Sequence, residues 1–474
     1  MVYIQFGRNI MNRFSMSELK DGAHIHFIGI GGISMSGLAQ EALKDGYEVS
    51  GSDRSESGIT HKLTEQGARV VIGHRAENVD GADLVVHTAA VKQDNPEMQE
   101  AVKRKIRLID RAEFLGAVMK KYSVAVGVSG THGKTTTTSM LAHALIHANL
   151  DPTVSIGGEL DLIGGNIRCG HSKYFVTEAC EYTNSFLKFY PTIALITNIE
   201  EDHLDFFSGI EEIRESFRKF AELTKGKGSV VAMWDDENVR IALNNADLDI
   251  VTYGMKNTNN YYPENIEYNM GYPSFDVYRD GEKLCHVSLN VPGNHNILNA
   301  LAAIAVCGLM GVSPETAAEG IETFKGTHRR FEKKGLCGGA LVIDDYAHHP
   351  TEIKATLKAA KNFPHDRVWC IFQPHTYSRT RTLWNEFTEA FYDADKLIIT
   401  HIYAAREKFD GVTHPEKLAE EIRKKGVDAV YIDDFKEIAD YVKKNAHEGD
   451  IIYTMGAGDV TEIGAMLTGE ENEI

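Results

Sequence analysis

Lys134 and Thr135 close the glycine turn Gly130-Thr131-His132-Gly133-Lys134-Thr135-Thr136, which follows the apolar run Val124-Ala-Val-Gly-Val and opens into Thr-Ser-Met-Leu-Ala-His-Ala-Leu. The backbone N–H groups of such a turn, with a helix dipole behind them, face an anion. The lysine reaches the β- and γ-phosphates and the threonine hydroxyl can sit on Mg²⁺. Val128 stands where the usual phosphate-loop pattern has its first glycine. The chemistry expected is the binding of a nucleoside triphosphate. An ordinary strand-to-helix turn that contains Gly-Lys-Thr is the plainer alternative, and the strand and helix patterns on either side weigh against it.

Two further groups carry acids. Glu178-Ala-Cys-Glu181 and Asn198-Ile-Glu-Glu-Asp-His203-Leu-Asp205 each follow a predicted strand. Taken singly, such carboxylates are solvated loop charges; beside Thr135 on one sheet edge they make a Mg²⁺ site, for which oxygen ligands are suited and histidine is less usual. A third group, His348, His349 and His375 with Arg379 and Arg381, lacks any Cys/His zinc spacing. Paired histidines could simply cap a helix, but His/Arg density on facing loops suits a carboxylate or phosphate. Near the start, Gly29-Ile30-Gly31-Gly32-Ile-Ser34 is an incomplete dinucleotide fingerprint, with Asp53 about 20 residues beyond. By itself it allows an NAD-linked dehydrogenase, although a second phosphate loop would be redundant for hydride transfer.

These residues need strand ends to stand on. The first βα pattern comes from His24-Ile-His-Phe-Ile, Tyr47-Glu-Val-Ser and Leu84-Val-Val-His-Thr, with helical spacing from Met35 and over residues 97–105. The second comes from the phosphate loop, Tyr174-Phe-Val-Thr, Thr192-Ile-Ala-Leu-Ile-Thr and Ser229-Val-Val-Ala-Met. Short antiparallel strands are expected over 257–287 and an apolar helix over 297–309. The third has strands at Ala340, Arg367, Lys396, Ala429 and Asp450, with the histidine cluster and Gly456-Ala-Gly at strand ends. Such an order implies parallel sheets with ligands outside the carboxyl edges of the strands.

At 474 residues the chain exceeds one ordinary core. We expect an α/β protein of three domains: a Rossmann-like N-terminal domain over 22–122, a central P-loop ATPase-type domain over 123–326 with a mostly parallel sheet and a small antiparallel addition, and a C-terminal Rossmann-like α/β domain over 327–474. Residues 1–21 read as a surface tail. A net charge of −18 without basic runs argues against nucleic acid, and no apolar run is long enough to insert in a membrane. Six scattered cysteines without C-x-x-C spacing read as reduced thiols, and residues 1–20 lack the apolar segment of a signal peptide, so a cytoplasmic location is expected.

In this order the motifs resemble those of the Mur ligases, ATP-dependent amide-bond-forming enzymes of peptidoglycan assembly. The carriers are His-Phe-Ile-Gly-Ile-Gly-Gly, Gly-Thr-His-Gly-Lys-Thr-Thr-Thr, Asn-Ile-Glu-Glu-Asp-His-Leu-Asp, Gly-Asn-His-Asn-Ile-Leu-Asn-Ala, Arg-Arg-Phe-Glu, Asp-Asp-Tyr-Ala-His-His-Pro-Thr-Glu and Gln-Pro-His-Thr-Tyr-Ser-Arg-Thr-Arg. The resemblance covers nearly the whole chain, and the missing first glycine of the phosphate loop is itself a family trait. It implies that ATP and Mg²⁺ serve to join L-alanine to the lactyl carboxylate of UDP-N-acetylmuramate through an acyl-phosphate, in a monomer or weak homodimer. It implies UDP-sugar contacts from Gly29, Ile30, Gly31, Gly32, Asp53, His74, Thr88 and His132. ATP would lie against Gly130 to Thr136, with His295, Asn296 and Asn299 near adenine, Arg330 at the γ-phosphate and Asp345 at the ribose. Thr135, Glu178 and His203 would hold the metal, with Lys134, Asn198, His203 and Arg330 catalytic. Tyr346, His348, His375 and Arg379 would take the amino acid. Three positions depart from the pattern, Cys180 and Thr183 where acids are commoner and Thr376 where many relatives have arginine; no lysine matches the one that some members carry as a carbamate. A recycling ligase that attaches a tripeptide to the same UDP-sugar stays open within the family, and a non-catalytic ATP-binding regulatory module outside it.

Overall fold

The computed structural model describes residues 13–88, 90–204 and 206–469, and its strands form three separate sheets. The first holds β1 (His24–Ile28), β2 (Glu48–Asp53), β3 (Arg69–Ile72), β4 (Leu84–His87) and β5 (Arg107–Asp110), all parallel in the order β3-β2-β1-β4-β5. Every residue of β1 is buried, which its run of His-Ile-His-Phe-Ile achieves because the two histidines find a partner in Ser50. Strands β3 and β5 escaped the sequence reading: each has only four residues, mostly partly exposed, so neither a long apolar run nor clean alternation marks them.

Residues 13–21 are not a free surface tail. Phe14 is buried and stacks on Phe114 at 6.5 Å, and Met16 joins the same core; the rest of that expected tail, 1–12, lies outside the described residues. Burial of a side chain of this size contributes about 2 kcal/mol toward holding the segment in place.

The central sheet runs β15-β14-β13-β12-β11-β10-β6-β9-β7-β8. Its parallel middle comprises β6 (Val124–Ser129), β7 (Thr153–Leu160), β9 (Tyr174–Glu178), β10 (Ile193–Ile196), β11 (Ser229–Met233) and β12 (Asp249–Tyr253). Antiparallel additions stand at both margins: β8 (Gly165–Arg168) at one, and β13 (Tyr261–Asn269), β14 (Tyr272–Arg279) and β15 (Glu282–Ser288) at the other. The second group falls where short antiparallel strands were expected; β7 and β8 were hidden by Gly157-Gly158 and Gly164-Gly165, which dilute the strand pattern. The helices Lys134–His147 and Asn294–Leu309 pack together on one face. The latter is buried along most of its length, as its apolar composition requires.

The third sheet, β16-β17-β21-β18-β19-β20, is parallel except at its first pair. It contains β16 (Glu332–Cys337), β17 (Ala340–Asp345), β18 (Val368–Phe372), β19 (Lys396–Ile399), β20 (Ala429–Tyr431) and β21 (Ile451–Met455), with an apolar cluster on each face. Among the described residues no helix is long and apolar enough to cross a membrane.

Candidate active site

The turn after β6 is shaped by glycines. Gly130 sits at φ +142°, and a Cβ there would overlap the Thr197 hydroxyl; Gly133, at φ +82°, is the N-cap of the helix Lys134–His147 and faces Asn299. No side chain caps that helix, so its first N–H groups and its dipole face outward, ready for an anion. Asn198 fixes the turn from the end of β10: its Oδ1 accepts the His132 N–H at 2.8 Å and its Nδ2 donates to the His132 carbonyl at 3.0 Å.

Lys134 is turned inward. Its Nζ donates to the Gly130 and Thr131 carbonyls and to Glu181, 3.2 Å away. Burial works against the charged amine, but Glu181 prevails and raises its pKa. Glu181 also faces His203 Nε2 at 3.8 Å. His203 holds a left-handed backbone at φ +53°, a conformation that costs energy and recurs at functional loops. Glu178 accepts the Gly157 N–H at 2.6 Å, and the Thr135 methyl faces Gly158 next along β7, so the two residues expected to meet a cation flank the same strand. Cys180, half-buried with its thiol pushed up to about 11 by desolvation and Glu181, is neutral where an acid would be charged. Asp205 lies outside the described residues.

Across the cleft stands the third domain. A cavity of about 230 Å³ is lined by His132, Gly133, Thr135, Thr136, Asn198, His295, Asn296 and Asn299 from the central domain, and by Arg330, Asp345 and Glu352 from beyond it. Arg330 is presented between two left-handed residues, Arg329 (φ +59°) and Phe331 (φ +53°), and its guanidinium lies 5.1 Å from the Tyr346 ring centroid, the same distance as that of Arg329. Asp345 accepts the N–H groups of Phe331 and Ala347; burial raises its carboxyl to about 6 although Arg330 opposes the shift. His295 is exposed at the cavity wall, where desolvation by its neighbours and the charge of Arg330 both lower its pKa.

The expected amino-acid residues form a chain of rings. Tyr346 meets His348 edge-on at 5.4 Å, His348 meets His375 at 5.8 Å, and Arg379 Nη1 donates to His375 Nδ1 at 3.0 Å. Burial, with Arg379 adding to it, lowers His348 to about 3 and His375 to about 4. Both are neutral at physiological pH. Arg379 and His203 line a second cavity of about 290 Å³ with Asp202 and Thr376. Thr376 serves as N-cap of the helix Tyr377–Thr382, its hydroxyl accepting the Arg379 N–H at 3.4 Å, which places Arg379 rather than replacing an arginine's contact. His349 likewise caps the helix Pro350–Ala360.

At the first sheet, Gly29 to Gly32 follow β1, Asp53 ends β2, and His74 and Thr88 follow β3 and β4, so all seven lie along one carboxyl edge, apart from the cleft. Asp53 Oδ2 accepts the Gly31 N–H at 2.9 Å and so props the turn, while His74 is tied to Ser52 and the buried Glu97. Two residues that the sequence reading gave no role, Arg111 and Glu352, are prominent, and two acids that it grouped with the expected Mg²⁺ site, Glu181 and Glu200, take other partners. Arg111 reaches the same turn by donating to Ser34 at 2.7 Å. Glu181 engages Lys134. Glu352 accepts from His132 Nδ1 at 3.1 Å and lies 3.7 Å from Arg330, and Glu200 lies 3.6 Å from His132. Burial opposes the charge on His132, yet these two carboxylates raise it to about 9. Glu352 ends the motif Asp-Asp-Tyr-Ala-His-His-Pro-Thr-Glu, at the third position of a helix that Pro350 announces, and that was the available signal.

Three family models match consecutive parts of the chain: Mur ligase family, catalytic domain, over 24–123; Mur ligase middle domain over 128–307; and Mur ligase, glutamate ligase domain, over 329–458. The UDP-N-acetylmuramate–L-alanine ligase of Acetivibrio thermocellus is 53% identical over 96% of this chain and 98% of its own length. That of Caldanaerobacter subterraneus is 53% identical over 96% and 99%. Among solved structures, the UDP-N-acetylmuramate–alanine ligase of Thermotoga maritima superposes with a TM-score of 0.77 at 31% identity, covering 94% of this chain and 98% of that one. A murein peptide ligase from Psychrobacter arcticus gives 0.68 at 26% identity, covering 96% and 100%.

Proposed function

The chain belongs to the Mur ligase family, and from that premise we propose that it joins L-alanine to the lactyl carboxylate of UDP-N-acetylmuramate with hydrolysis of ATP to ADP and phosphate. The chain is an ATP-dependent amide-bond-forming ligase of peptidoglycan synthesis. One observation carries the residue assignments: a single cleft is lined on one wall by the phosphate loop and on the other by Arg330 and Asp345. The tripeptide-attaching alternative is less favoured, since the murein peptide ligase is 26% identical where the alanine ligases reach 53%. A regulatory module without chemistry leaves Arg379 and the neutral His348/His375 pair without a purpose.

A carboxylate is a poor acyl donor, so the γ-phosphoryl group goes first to the lactyl carboxylate, and phosphate then leaves as the alanine amine attacks. The first step drives two anions together. Lys134 and Arg330 offset that charge at the phosphate, and the free N–H groups of the helix Lys134–His147 cradle it. The oxygens of Thr135 and Glu178, with His203 nearby, suit Mg²⁺, which when bound supplies further charge neutralisation. His295, Asn296 and Asn299 face the adenine side and Asp345 the ribose. Gly29 to Gly32, Asp53, His74 and Thr88 hold the UDP moiety, and His132 stands at the cleft between the two ligands. For the second step, Arg379 takes the alanine carboxylate. Neutral His348 and His375 put no positive charge against the amine. Closure of the third domain keeps water from the acyl-phosphate.

We assign residues 22–122 to UDP-sugar binding, 123–326 to ATP binding and 327–474 to the amino acid. Six cysteines without a disulfide fit a cytoplasmic monomer or weak homodimer. The test is phosphate release from ATP with UDP-N-acetylmuramate, comparing L-alanine, glycine, L-serine and a tripeptide as acceptor. Release with L-alanine at the highest kcat/KM is expected; release with none of the amino acids would overturn the enzyme reading, and preference for the tripeptide would select the recycling ligase.

A further inference from the structure

We propose that His132, Glu200 and His349 form a second cation site, of a kind that takes a zinc-class divalent ion, and that it staples the third domain to the central one. The three side chains each offer one ligand atom, and these atoms all lie within 4.8 Å of one another. His132 Nε2 is buried without a hydrogen-bond partner and lies 3.6 Å from Glu200 Oε2. His349 Nδ1 lies 3.9 Å from the same oxygen, and the two rings are 4.7 Å apart between centroids. Ligands about 2.1 Å from a tetrahedral zinc stand about 3.4 Å from each other, so a small inward movement of side chains completes the geometry.

The surroundings are those a metal-bound imidazole needs. His132 donates through Nδ1 to Glu352 at 3.1 Å, and His349 donates through Nε2 to the Glu201 carbonyl at 3.3 Å. Each ring thus sends an N–H outward to an acceptor and turns its other nitrogen to the centre, the outer-sphere arrangement that fixes tautomer and orientation at histidine-ligated metals. Glu200 is positioned in turn by the Thr351 hydroxyl at 2.5 Å. The cation would displace the proton on His132 Nε2, which faces Glu200 at 3.6 Å without a hydrogen bond, and the long 3.3 Å capping bond from the Thr351 N–H to His349 Nδ1.

Two imidazoles and one carboxylate prefer zinc over magnesium, whereas the Thr135 and Glu178 oxygens have the opposite preference, so the two sites select different ions. His132 and Glu200 belong to the central domain and His349 to the third, hence a bound ion bridges the cleft and favours its closed form.

The experiment uses the whole protein and Co²⁺ as a zinc probe, read by its visible d–d absorption in the presence of excess Mg²⁺. One Co²⁺ per chain is expected, displaced by Zn²⁺ and resistant to Mg²⁺, with binding weakened at least about tenfold in His349→Gln and in Glu200→Gln. Co²⁺ that Mg²⁺ displaces, or that fails to bind, overturns the proposal, and this is read on the unaltered protein whatever the variants do. Equal Co²⁺ affinity in either folded variant, checked by circular dichroism, also overturns it. Phosphate release is not used, so failure here leaves the ligase reading untouched.

Discussion

Arg379 and Asp202, which belong to different domains, make a close ion pair: Nε lies 3.3 Å and Nη2 3.0 Å from Asp202 Oδ1. Both are largely buried, and although burial alone would raise the Asp202 carboxyl, Arg379 holds it well below the usual carboxylate range. A carboxylate therefore already occupies the guanidinium assigned to the carboxylate of alanine. Arg379→Ala is expected to raise the KM for L-alanine by about 10- to 100-fold, the effect of losing about 1.4 to 3 kcal/mol of charge-assisted hydrogen bonding, while the KM for ATP moves by less than threefold. Steady-state kinetics with each substrate varied in turn decides it; equal changes in both constants would refute the assignment.

Lys134→Ala should remove phosphate release almost entirely, by about a thousandfold in kcat, because Lys134 is the cation assigned to the β- and γ-phosphates. Affinity for the UDP-sugar should stay within about threefold, since that site lies on a different sheet. Calorimetry of UDP-N-acetylmuramate binding beside the phosphate assay tests both halves. Normal turnover would sink the phosphate-loop reading.

Gly130→Ala should weaken ATP at least tenfold. Its φ of +142° and the overlap of any Cβ with the Thr197 hydroxyl force the turn to move, and the anion cradle depends on that turn. Nucleotide titration with a fluorescent ATP analogue measures it. Unchanged affinity would mean that the turn does not contact the nucleotide.

A pH dependence follows from His132. Its pKa is raised from 6.5 to about 9 by Glu352 and Glu200 against the opposing effect of burial. Its charge therefore stabilises the folded chain fully below about pH 6.5, and that contribution fades as pH rises through about 9. The loss is at most about 3 kcal/mol. Thermal melts from pH 6 to 10 should show falling stability over that window, and His132→Gln should flatten the slope. Parallel pH curves for the two proteins would contradict the pairing.

What the sequence disclosed follows from where signals are concentrated. The phosphate turn was readable because a β-branched run, a turn bounded by Gly130 and Gly133, and a helix occur within one short stretch, and the structure shows β6, the turn and the helix Lys134–His147 in place. His349 was open between a cap and a ligand-binding residue; it does cap the helix Pro350–Ala360. Strands β3, β5 and β8 were not legible, since four residues at a sheet margin carry no periodicity. Phe14 reads as one aromatic in a polar stretch, and only the tertiary fold reveals its seat against Phe114. The partners of Glu181, Glu200 and Glu352 were not legible for a different reason: a glutamate's meaning lies in what it meets, and these partners are remote in sequence, on elements that only the fold brings together.

The inward pairing of Lys134 with Glu181 sets an entry fee for every visitor to the phosphate turn. A monovalent anion such as chloride or a lone carboxylate offers the amine no more than Glu181 does, and Glu181 is tethered, so it wins by effective concentration. Only a visitor of several charges, touching the turn, Arg330 and the open helix terminus together, outbids it. The pairing thereby favours visitors of several charges over those of one.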